Sequence, residues 1–324
     1  MPMPMSMKVV LSFCLLLLGI SAQADEAALL LERSSLATKQ LSYNGVFAVQ
    51  KAEDLQSVRI IHRVDEQGVV ERLASLSGVE REFIRTNDRV TCIYPEGQRP
   101  QVNRQPLGRG FPSDLIVRMK SASEYYNLTL GQQGRVAAYQ AQELFMQPID
   151  QYRYGYRLWI EKENALLLQA DLISEYGKVL EKFAFSSVVI NGEITDQLLQ
   201  PQMVGNEMTW NRKDAEPMID NAIPNASKWQ ITWLPKGFNL TGYQHRFARN
   251  GAPLEQRIYS DGLSSVSVFM EKMRARHGHL HGGSQMGTVN AFGTIINSYF
   301  VTVVGEVPAQ TVEKIGTAIQ YDED

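Results

Sequence analysis

The run Tyr152-Arg153-Tyr154-Gly155-Tyr156-Arg157-Leu158-Trp159-Ile160 alternates in side-chain character. Tyr152, Tyr154, Tyr156, Leu158 and Ile160 fall on one face of an extended chain, with Arg153, Arg157 and Trp159 on the other. This period of two is that of a strand with one buried face. An aromatic ladder of this kind reads first as core.

The same period recurs on both sides of it. Upstream, Tyr43, Gly45, Phe47 and Val49 alternate with Asn44, Val46 and Ala48, and Val58, Ile60, His62 and Val64 alternate with Arg59, Ile61 and Arg63. Glu66-Gln67-Gly68 supplies a turn, and Val69–Leu76 returns as a hairpin partner. Glu80–Thr86 and Arg89–Tyr94 form another hairpin about Asn87-Asp88. Downstream, Tyr125–Leu130, Arg135–Phe145, Leu166–Ile173 and Val179–Val189 complete a meandering antiparallel sheet. Two helices are predicted beside it. One spans Asp25–Gln40, with Ala28, Leu29, Leu31, Ser35 and Leu36 at helical spacing; the other spans Ser113–Ala122, with Ser113 as N-cap. A large sheet with so little helical cover leaves an apolar concavity.

Between these elements, Pro95–Pro112 is a long loop carrying Arg99, Arg104 and Arg109 against Glu96 alone. It reads as a solvated loop or as a basic flap that meets anionic head groups or a peptide. From 201 to 228 the strand pattern lapses amid Met, Asn, Asp and Pro, and the segment reads as an interdomain linker. A smaller second domain, 229–324, starts at Trp229. Its centre is the hairpin Tyr259–Phe269, which turns at Asp261-Gly262 and sets Val266, Val268 and Met270 on one face. Strands are also predicted at Leu240–Arg246, Arg257–Ser260, Thr288–Ala291, Thr294–Asn297 and Tyr299–Gly305, before a helix over Pro308–Ile319. The fold class is α+β: an unclosed antiparallel N-terminal barrel (25–200) with covering helices, then a small α+β domain.

Residues 1–24 read as a secretory signal peptide: Lys8, an apolar run Val9–Ile20, and the small-x-small site Ala22-Gln23-Ala24 before Asp25. That run, about a dozen residues, is short of the roughly 20 needed to span a bilayer as a helix. Of the two cysteines, Cys14 falls in this leader, so Cys92 is left without an intramolecular partner. It sits on a strand and reads as a buried structural thiol. With 324 residues, 44% hydrophobic and 21% charged, the chain is a soluble globular protein of two domains, and its net charge of −3 gives no drive toward nucleic acid.

Catalytic signatures are missing. The chain has no Gly-x-Ser-x-Gly elbow, phosphate-binding glycine loop, Cys-x-x-Cys or His-Glu-x-x-His. His277, His279 and His281 alternate in a glycine-rich segment without a neighbouring carboxylate or cysteine, and read as a solvated loop rather than a metal site. The chain is expected to bind rather than catalyse, with no cofactor and no metal.

Several motifs in a fixed order resemble one family. They are Leu41-Ser42-Tyr43-Asn44-Gly45-Val46-Phe47, Ile61-His62-Arg63-Val64, Val70-Glu71-Arg72-Leu73, Ser77-Gly78-Val79-Glu80-Arg81-Glu82 and Tyr154-Gly155-Tyr156-Arg157-Leu158-Trp159. The second domain adds Trp233-Leu234-Pro235-Lys236-Gly237-Phe238, Tyr259-Ser260-Asp261-Gly262-Leu263 and Val301-Thr302-Val303-Val304-Gly305-Glu306-Val307-Pro308. Together they resemble the RseB/MucB family, periplasmic regulators of the envelope-stress sigma factor.

The resemblance implies a first domain shaped like the lipoprotein carriers LolA and LolB. It also implies a second domain that contacts the periplasmic part of a membrane-bound anti-sigma factor of RseA/MucA type, shielding it from proteolysis until lipopolysaccharide or a related lipid releases it. On that basis Phe47, Ile60, Tyr154, Tyr156 and Leu158 are expected on the lipid-facing side of the sheet, with Arg99, Arg104 and Arg109 near its mouth. The anti-sigma contact is expected within 229–324. The rival expectation is a lipid or lipoprotein carrier using the same concavity. The oligomeric state is left open, a homo-oligomer included.

Overall fold

A computed structural model describes residues 25–97, 112–211, 227–247, 251–273 and 280–322. The leader, Arg99, Arg104 and Arg109, most of the predicted linker, and His277 and His279 lie outside the described residues.

Helix α1 (25–37) is followed by five strands: β1 (Tyr43–Lys51), β2 (Asp54–Asp65), β3 (Gly68–Ser75), β4 (Glu82–Thr86) and β5 (Arg89–Tyr94). Helix α2 (Pro112–Ser121) then leads to β6 (Tyr126–Val136), β7 (Tyr139–Pro148), β8 (Gly155–Glu161), β9 (Leu167–Ile173) and β10 (Val179–Ile190). A short helix α3 (Asp196–Leu199) precedes β11 (Asn206–Asn211). The strand order is β11-β5-β4-β3-β2-β1-β10-β9-β8-β7-β6, an open sheet whose neighbours all pair antiparallel. The chain starts at the middle of the sheet, builds outward on one side, crosses to the far edge, and works back until β10 pairs with β1.

The second domain is a six-stranded sheet, β13-β14-β15-β18-β17-β16, with a two-stranded ribbon of β12 and β19. These strands are β12 (Trp229–Ile231), β13 (Asn239–Phe247), β14 (Pro253–Ser260), β15 (Ser265–Lys272), β16 (Gly282–Met286), β17 (Val289–Ile296), β18 (Tyr299–Gly305) and β19 (Ile319–Tyr321). Helix α4 (Ala309–Thr317) buries Val312 and Ile315 against Val266, Val268, Met270, Val301 and Val303. Those valines alternate along β15 and β18, where β-branched side chains pack well on a pleated surface.

Several expectations need correcting. The buried stripe of α1 is Ala27, Leu30, Leu31, Ser34 and Ala37; Leu29 and Leu36 face outward. Tyr152–Tyr154 is not strand, since β8 opens at Gly155. The strand expected to end at Leu130 runs on past Gly131 and Gly134 to Val136 as β6. The strand passes them through a bulge, the Trp159 ring occupies the place a Cβ at Gly134 would need, and the turn is made by Ala137 and Ala138 with φ of 47° and 72°. The two short strands predicted between Thr288 and Asn297 are one strand, β17, and the turn to β18 is Asn297-Ser298, both at positive φ.

The stretch read as linker holds α3's exit and β11, which pairs with β5 from Asn206↔Tyr94 to Asn211↔Arg89. A buried ion pair, Arg72–Glu82, receives this segment on the outer face: Arg72 donates to the Leu198 carbonyl and Glu82 accepts the Gln202 N–H. Gly282 and Gly283, the end of the histidine segment read as a solvated loop, open an edge strand, Gly282–Met286.

Candidate functional site

Phe47, Ile60 and Leu158 are fully buried, and Tyr154 and Tyr156 are 3% and 5% exposed. All five belong to one core on the concave side of the large sheet. Phe47 packs at 4.8 Å from Phe183 and 5.8 Å from Phe185, ring centre to ring centre. Leu30 and Leu31 of α1 and Leu115, Ile116 and Met119 of α2 join the same core. Among the described residues the protein's own helices therefore pack into the concavity, and a guest bound there would compete with them for the same apolar volume.

A polar row crosses this apolar interior. Tyr43, His62, Glu71 and Arg85 are direct cross-strand neighbours on β1 to β4. The His62 ring stacks on Tyr43 with centres 4.7 Å apart. Its Nε2 lies 3.1 Å from the Thr38 carbonyl just past α1, and its Nδ1 lies 3.4 Å from Glu71 Oε1. Arg85 Nη2 reaches Glu71 Oε2 at 2.7 Å and donates to Ser113 Oγ at 2.9 Å, while Nη1 donates to Asp114 Oδ1 at 2.9 Å.

Burial alone would push the Glu71 carboxyl up. The Arg85 guanidinium, helped by His62 and Ser113, outweighs burial and holds it below the ordinary carboxylate value. Burial, reinforced by the Glu71 charge, raises the Tyr43 hydroxyl well above its usual value. This row fastens the end of α1 and the start of α2 to the sheet. Ser113 is accordingly a member of the network inside the first turn of α2 rather than its cap.

The second concentration of buried polar groups lies where the two domains meet. Arg153, which alternation places opposite the tyrosines, is enclosed. Its Nε donates to Asp261 Oδ2 at 2.7 Å, its other nitrogens reach Asp150 and the Lys236 carbonyl, and its guanidinium lies over Tyr125 (4.8 Å) and Phe238 (5.1 Å). Such a planar cation can use its donors in plane and its faces against rings at once.

Tyr154 keeps its ring in the first core but accepts a hydrogen bond from Asn290 Nδ2 at 2.9 Å. Tyr152 meets the Trp233 ring edge-on at 4.7 Å, and Lys314 Nζ sits 4.1 Å from the Trp233 ring centre while donating to Tyr152 Oη at 2.5 Å. Gln310 and Thr311 at the start of α4 donate to the carbonyls of Gln151 and Tyr152.

Sequence reading gives Asp261 only a turn and Arg153 only a strand face, and assigns no role to Lys314 or the His62–Glu71–Arg85 row. The available signal was an arginine flanked by tyrosines in an aromatic run, of which Tyr154 is buried, a placement that requires a specific partner. Among the described residues no group of three or more His, Cys, Asp or Glu is arranged to hold a metal, and no helix is long and apolar enough to cross a membrane. His281 is exposed beside β16.

Comparison with known proteins agrees over nearly the whole chain. The family model for the MucB/RseB N-terminal domain matches residues 26–203, and that for the MucB/RseB C-terminal domain matches 224–320. The sigma factor AlgU regulatory protein MucB of Pseudomonas aeruginosa is 32% identical, over 94% of this chain and 96% of that protein. The sigma-E factor regulatory protein RseB of Escherichia coli K12 is 25% identical, over 94% of each. Among solved structures, the complex of Pseudomonas aeruginosa MucA and MucB aligns with a TM-score of 0.71 at 28% identity, covering 92% of this chain and all of that one. An open eleven-stranded sheet covered by helices, joined through Arg153 to a smaller sheet domain, is thus the architecture of a chain that belongs to the MucB/RseB family.

Proposed function

We propose that this chain is a periplasmic negative regulator of an envelope-stress sigma factor. It binds the periplasmic region of a membrane-bound anti-sigma factor of RseA/MucA type and protects it from regulated proteolysis. The observation that carries the reading is the full-length likeness to a MucB solved together with MucA. Residues 1–24 serve as the export signal, and the anti-sigma contact lies within 229–324. The protein works by binding rather than by catalysis.

The concave interior of 25–200 serves as the lipid-sensing site. Phe47, Ile60, Tyr154, Tyr156 and Leu158 form its apolar wall, and Arg99, Arg104 and Arg109 meet the phosphates of lipopolysaccharide or another acylated lipid. In support, the five wall residues share one continuous core with two helices whose ends are fastened to the sheet by a polar row. A carrier of lipids or lipoproteins would use the same interior but would leave 229–324 without a role.

The test is reconstitution of the anti-sigma periplasmic segment with its protease, with and without this protein. Protection that added lipopolysaccharide relieves is the expected result. Unchanged cleavage in its presence refutes the regulator, and deletion of 229–324 is expected to abolish protection.

A further inference from the structure

Leu263 belongs to the second domain by chain position and to the first by packing. It lies at the tip of the β14–β15 turn, is 9% exposed, and is counted in the concave core with Tyr126, Tyr154 and Tyr156 rather than in the core of its own domain. The turn that presents it is built around Asp261. Oδ1 accepts the N–H groups of Leu263 (2.9 Å) and Ser264 (2.7 Å), and Oδ2 accepts Arg153 Nε. One carboxylate therefore shapes the turn with one oxygen and anchors it to the first domain with the other. Gly262, at φ +93°, gives the turn its left-handed residue. Beside it, the Tyr154 hydroxyl reaches Asn290, which also donates to the Val307 carbonyl at 2.8 Å.

We propose that Leu263 is a resident plug of the first domain's apolar interior, and that an acyl chain entering that interior takes its place and undocks the second domain. The proposal rests on the reading that this interior accepts acylated lipids. A branched alkyl side chain and a stretch of acyl chain are equivalent guests for one apolar volume, and at interior packing density both cannot occupy it. The Arg153–Asp261 pair does not forbid release: when the domains part, both charges regain water, unlike the case in which one partner is deleted and the other stays buried. A ligand that binds only the unplugged state shifts the population toward it by its differential affinity.

The test uses the purified full chain, a dansylated undecanoic acid as probe, and small-angle scattering to read domain separation. Saturation with the probe is expected to raise the radius of gyration. Leu263→Ser is expected to show the larger radius without probe and to bind it about tenfold or more tightly, the equivalent of removing one competing buried leucine. Asp261→Asn, which keeps the leucine and weakens its anchor, is expected to shift both readouts in the same direction by less. Probe binding with an unchanged radius, together with wild-type affinity in both variants, overturns the plug and leaves the lipid site standing. No binding by the wild type or either variant overturns both.

Discussion

Arg153 Nε and Asp261 Oδ2 lie 2.7 Å apart across the domain boundary, with neither side chain reached by solvent. Removing one partner of such a pair strands the other, at about 3–5 kcal/mol. Asp261→Ala is therefore expected to lower stability by that order in a urea titration. Arg153→Met combined with Asp261→Leu is expected to cost less than the two single substitutions summed. Strict additivity of the singles would mean that the two groups do not act on each other.

The polar row makes the helical cover sensitive to acid. The folded-state pKa of Glu71 is lowered, so its contribution is complete above the unfolded carboxylate value of about 4.3 and is lost as pH falls through the folded value. Denaturant curves at pH 7 and pH 3.5 should show the wild type losing stability on acidification. Glu71→Gln should start about 3 kcal/mol lower at pH 7 and lose less between the two. Equal acid losses in the two proteins would assign the effect to other carboxylates.

Cys92 is 7% exposed on β5, where burial raises its thiol pKa and the Arg81 charge opposes the rise only in part. A buried, protonated thiol is a poor nucleophile. A thiol-disulfide reagent at pH 8 is expected to label this position at least tenfold more slowly in the native protein than in 6 M guanidinium. Comparable rates would mean that the β4–β5–β11 edge opens readily.

The β6–β7 turn holds two alanines in left-handed conformations, each strained relative to asparagine or glycine. Replacing Ala137-Ala138 by Asn-Gly should add about 1 kcal/mol, because that pair favours the same turn. A calorimetric Tm that stays put or falls would show that the alanine side chains make compensating contacts.

Much of the sheet structure is legible from alternation alone: Tyr43–Val49 and Ser265–Met270 obey a period of two because one face is buried along their length. Phe47, Ile60, Tyr156 and Leu158 could be set on a common face for the same reason. What escaped has identifiable causes. β11 carries Asn, Glu and Thr on an edge, where exposure removes the hydrophobic signal, so it reads as linker. Gly131 and Gly134 imitate a turn, although their missing side chains make room for Glu143 and Trp159. Ala137-Ala138, where the chain does turn, has no turn chemistry at all. Alternation sets Arg153 apart from the tyrosines, but it lies ahead of β8 rather than in it, its partner is 108 positions away, and no local pattern can name a contact of that span.

The placement of β1 between β2 and β10 has a kinetic consequence. As the chain is synthesised, β1 to β5 can close as a leaf of local hairpins, but the other edge of β1 has no partner until residues 179–190 exist, and β5 has none until 206–211. A nascent leaf with two bare edges is a template for pairing with another chain. The rate of reaching the native state should accordingly depend on this long-range closure rather than on the hairpins, and the unfinished polypeptide is the form most exposed to aggregation.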